Sequence, residues 1–156
     1  GELPRRVLVP GDWERPVQYS DARDIAAWVL RMLAARQGGT YNTVGPGRPD
    51  TLREVLEACL RAAGGEPGAV EWVAEDEDVL RARLSTVEEE QRPLWYPEDQ
   101  IPQDAIDSSA ALRAGLTFRS PYATAHETLL WAQGADEDAL ISGFLPYEQE
   151  ILRHAS

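Results

Sequence analysis

Tyr19, Asp21 and Arg23 stand at alternate positions where an extended segment gives way to a helix, bringing together a phenol, a carboxylate and a guanidinium. α/β proteins hold ligands at strand ends and in long loops. With Trp95 and Tyr96 of the later stretch Leu94-Trp-Tyr-Pro97, these three are the candidate substrate-binding residues. Arg23 suits an anionic or carbonyl oxygen, and the aromatics suit an apolar body. No residue is assigned a catalytic role. Structural roles are open to several of these residues. Asp21 and Asp24 fit as helix caps near the positive end of the dipole, Arg23 as the partner of a carboxylate, and Trp72, Trp95 and Trp131 as core.

Other chemistries find little support. Gly45-Pro46-Gly47 lies where a dinucleotide-binding turn would lie, but the third glycine position of that fingerprint is Asp50. A carboxylate there repels a pyrophosphate, so the segment reads as a plain turn. All 15 basic residues are arginine, which removes a Walker A loop and any lysine Schiff base. The acidic clusters Glu75–Asp78 and Glu88–Glu90 lack the alternating ligands of a calcium loop, and His126 and His154 have no partners at zinc-site spacing. No GxSxG elbow is present. Hence no metal is expected, and no cofactor is held by this chain alone. The net charge of −12 argues against nucleic acid or an anionic membrane surface as partner. No apolar run approaches the roughly 20 residues of a membrane helix. A single cysteine, Cys59, allows no internal disulfide framework and fits a cytoplasmic location.

The elements that must position these residues follow from pattern. Residues 3–9 read as a strand ended by Pro10-Gly11, and Val17 to Tyr19 as a second extended segment. Asp21 caps a helix running to about Arg36, with Ile25, Trp28, Val29, Met32 and Leu33 as its buried face and Gly38-Gly39 as its stop. Thr40 to Val44 is β-rich and reads as a strand, and 45–49 as a turn. Thr51 and Glu54 form a capping box ahead of a helix whose stripe is Leu52, Val55, Leu56, Cys59 and Leu60. Val70 to Val73 is a further strand and Glu75 to Arg83 a helix. Residues 85–106 form a long loop, a length usually tied to function. Asp107 caps a short helix closed by Gly115, and Pro121 starts another that ends near Gln133. The expectation is one α/β domain over 1–156, with a small, partly parallel sheet, several helices and a helical tail at 135–156. The helix at 24–36 is apolar over much of its circumference, Ala26, Ala27 and Leu30 flanking the main stripe. Such a helix is usually covered on more than one side. The folded chain is therefore expected to meet a second copy, another subunit or its own tail.

Val17-Gln-Tyr-Ser-Asp-Ala-Arg-Asp-Ile-Ala26 resembles the motif that opens the C-terminal half of extended short-chain dehydrogenases/reductases, the NAD-dependent epimerase/dehydratase group. Arg5-Arg-Val-Leu-Val-Pro-Gly11 is similar to the same family's lead-in. Gly39 to Pro46 with Thr51 to Leu56 resembles its next strand and helix. Leu94 to Pro97, Ala114 to Arg119 and Thr124 to Trp131 continue in family order, so the similarity spans residues 5–131. The resemblance implies a small-molecule substrate and NAD(P) chemistry shared with a Rossmann half. The family's cofactor loop, its catalytic Ser/Thr and its Tyr-xxx-Lys pair have no counterpart in these 156 residues. Val17 stands where nucleotide-sugar enzymes of the family commonly carry arginine, which points away from such a substrate. Two functions follow from the resemblance. One is the substrate-binding half of an NAD(P)-dependent reductase, redox-inactive without a separate Rossmann-type subunit. The other is a free-standing small-molecule-binding domain or cofactor-independent cyclase or isomerase.

Overall fold

The computed structural model describes residues 6–84 and 106–135, with only the backbone at 83 and 84. The candidate residues Trp95 and Tyr96, the expected tail at 135–156 beyond Ala135 and the acidic cluster at 88–90 lie outside the described residues.

The elements run β1 (Arg6–Pro10), β2 (Pro16–Tyr19), α1 (Ala22–Ala34), β3 (Gly45–Thr51), α2 (Leu52–Ala62), β4 (Glu71–Glu75), α3 (Glu77–Leu84), α4 (Ser109–Arg113) and α5 (Pro121–Gly134). The protein is thus mixed α/β, but its described strands form two separate pairs. β1 and β4 pair in parallel, with Val7 opposite Trp72 and Val9 opposite Ala74. β2 and β3 pair antiparallel, with Val17 opposite Asp50 and Tyr19 opposite Gly45, and a bulge between them. α2 packs along α5.

The expected strand at 40–44 is not formed, and the expected turn at 45–49 lies within β3. Composition misleads here because side chains take the carbonyls a strand would offer to its neighbour. The Ser20 hydroxyl donates to the Thr43 carbonyl at 2.6 Å, and the Ser108 hydroxyl donates to that of Val44. Prolines at 46 and 49 are tolerated in β3 because, among the described residues, it has one strand neighbour and leaves an edge free. Its first residue must be small. A Cβ on Gly45 would come within 2.1 Å of the Phe118 ring.

Helix ends follow local rules more closely. Asp21 caps α1 and Thr51 with Glu54 forms the capping box of α2. Ser120 caps α5, with Pro121 in its first turn. Asp107 covers the start of α4 by accepting from the Ser109 amide at 2.8 Å, although the cap position itself is Ser108. α4 closes with Gly115 at φ +87°, its amide bonded to the Leu112 carbonyl and the Leu116 amide to Ala111. α1 ends in the same way but earlier than Gly38-Gly39. Arg36 takes the left-handed position at φ 52°, and the Gln37 amide returns to the Met32 carbonyl at 2.9 Å.

The main cluster joins Trp28 and Met32 of α1 to Ala111 of α4 and to Leu116, with Tyr41, Ala114 and Phe118 packed against it. Trp28 meets Tyr41 edge-on at 5.2 Å and donates its indole N–H to the Ala114 carbonyl at 2.9 Å. Only part of the expected α1 face is covered. Ile25 is half-buried, whereas Val29 is 41% and Leu33 67% exposed. The described partners of this face, α4, the turn after it, Tyr41 and Phe118, gather on Trp28 and Met32. Leu30 is also 67% exposed, and Trp131, expected in the core, is 59% exposed. Cys59, expected on the inner stripe of α2, is exposed, and Ala58 beside it is buried. Trp72 is half-buried and meets the Trp13 ring at a tilt, with centroids 5.1 Å apart.

Candidate functional site

The junction from β2 to α1 is built from short-range rules and completed from far along the chain. Asp21 is in the extended conformation and its carboxylate accepts from the Arg23 amide at 2.9 Å, satisfying a donor the helix leaves open. The Arg23 side chain turns back onto the same carboxylate, with Nε at 2.9 Å from Oδ1 and Nη2 on Oδ2. Such a two-point contact is the strong form of the pair. The remaining Nη1 reaches Glu127 of α5 at 3.3 Å.

Sequence separation does not prevent the second half of the cluster from forming. The Thr124 hydroxyl of α5 donates to Asp21 Oδ2 at 3.0 Å. Arg119, in the segment before α5, is gripped by Asp24. Its amide donates to Oδ2 at 2.9 Å, its Nε to Oδ1 at 2.9 Å and its Nη2 to Oδ1 at 2.8 Å. Its Nε also lies 3.4 Å from Asp21. Asp21 is 8% exposed, so these bonds replace the water it has lost.

The electrostatics fix protonation. Hydrogen bonds from Arg23 hold the Asp21 carboxyl well below the usual carboxylate range, against the upward push of burial, with help from Thr124 and Arg119. Burial raises Asp24 as well, but the bonds from Arg119 outweigh it and leave this carboxyl low. Tyr19 moves the other way. Burial, then the charge of Asp50, push its phenol above the ordinary value, and its hydroxyl donates to Asp50 Oδ2 at 3.1 Å. Asp50 thus serves as a cross-strand acceptor for Tyr19.

Near neutral pH Asp21 and Asp24 are therefore ionised and engaged by arginines, and the Tyr19 phenol is neutral. None is poised as a general base. Tyr19, Asp21, Asp24, Pro46, Phe118, Arg119 and Thr124 line a shallow depression that encloses no room for a water molecule. Of the five sequence candidates, Tyr19 and Asp21 line this depression, whereas Arg23 is bonded to Asp21 without lining it. Arg23 points its guanidinium at Asp21 and Glu127. The residues that sequence reasoning missed are Asp50, Phe118, Arg119, Thr124 and Glu127. Arg119 and Thr124 stand in segments that carried the family resemblance, which was the available signal.

Among the described residues no cluster of three His, Cys, Asp or Glu side chains could hold a metal ion. None of the described helices is long and apolar enough to cross a membrane. No family, curated protein or solved structure matches the chain.

Proposed function

We propose that this chain is the substrate-binding half of an NAD(P)-dependent oxidoreductase of the epimerase/dehydratase type. The Rossmann half is supplied from outside these 156 residues, so the chain binds no NAD(P) and performs no redox step alone. One observation supports this above the others. Two segments that carry the resemblance, 17–26 and 114–131, meet in one cluster through Asp24–Arg119 and Asp21–Thr124, across sequence separations of 95 and 103 residues.

On this reading the polar junction at Tyr19, Asp21 and Arg23 faces the substrate together with Trp95 and Tyr96. Both arginines of the cluster are engaged by carboxylates, which favours a small uncharged substrate over an anionic one. The exposed side chains Leu30 and Leu33 of α1 are the surface on which a Rossmann-type subunit, or a second copy, would sit. The setting is cytoplasmic.

Calorimetry and sedimentation test the proposal. The purified chain is expected to show no micromolar binding of NADH or NADPH. Co-expressed with the product of a neighbouring frame encoding GxxGxxG and Tyr-xxx-Lys, it should co-purify and the pair should bind NADPH. A micromolar Kd for the chain alone, or a strict monomer of 17.3 kDa that ignores such a subunit, overturns it.

A further inference from the structure

We draw no further inference here: the strongest candidate, the exposed apolar side chains Val29, Leu30 and Leu33 on α1, carries nothing beyond the partner surface already proposed, because nothing in the structure shows what covers them.

Discussion

Arginine meets carboxylate in two very different places in this protein. At the start of α1, Asp21 and Asp24 are nearly out of solvent, with side-chain exposures of 6% and 12%, and Arg119 arrives from 95 residues away. At the start of α2, Arg53 links Glu14 at 2.8 Å to Glu57 at 3.0 Å and lies over the Trp13 ring, but Arg53 and Glu14 are about half exposed. The pairing chemistry is the same and the consequences are not. Water screens the second group and competes for its donors, so such pairs contribute little. In the first group the carboxylates have lost their hydration, so each arginine bond matters for keeping them folded.

The largest effect is expected from Arg119→Ala. It removes both side-chain donors from the nearly buried Asp24 carboxylate, and breaking a buried pair costs about 3 kcal/mol. Urea unfolding at neutral pH would show this as a fall in midpoint. A shift no larger than that of an exposed pair would mean that the two groups are equivalent after all.

Next in size is Gly45→Ala. The added Cβ must displace the Phe118 ring, and overpacking of this kind costs about 1–3 kcal/mol. Because Phe118 adjoins Arg119, the change should couple to Asp24→Asn in a double-mutant cycle and add independently to Glu14→Gln.

Acid sharpens the contrast further. Asp21 and Asp24 titrate lower in the folded chain than in the unfolded one, where aspartate sits at about 3.9. Their contribution is therefore complete above that value and is lost as pH falls from about 4 toward the folded values. Asp24→Asn should narrow the stability difference between pH 7 and pH 3 measured by urea midpoints. An unchanged difference would show that Asp24 has no part in the acid limb.

The smallest effect belongs to Glu14→Gln. Exposed pairs are worth about 0–1 kcal/mol, so its midpoint should stay close to that of the parent, and any difference should vanish in 1 M salt. A loss matching that of Arg119→Ala would break the comparison from the other side.

The sequence by itself determined what depends on a few neighbouring residues. Asp21 and Thr51 with Glu54 were legible as helix starts because a cap is a bond between a side chain and an amide two or three residues on. The closure of α4 at Gly115 was legible because a left-handed position favours glycine. Helix order and the mixed α/β class came from the same local rules. Tertiary structure decided the rest. Thr40 to Val44 has strand composition, yet Ser20 and Ser108 take its carbonyls from elsewhere in the chain. Gly45 to Pro49 looks like a turn, yet it lies in β3 and pairs with β2, and only the fold shows that Phe118 fills the space a Cβ on Gly45 would need. Leu33 and Val29 match the period of a buried face, but the described core gathers on Trp28 and Met32, and periodicity carries no information about where a neighbour will sit. Arg119 is one arginine among fifteen in composition. Its role arises only when the fold brings it to Asp24, since a charge pair depends on distance in space and on loss of water, neither of which is written at any single position of the chain.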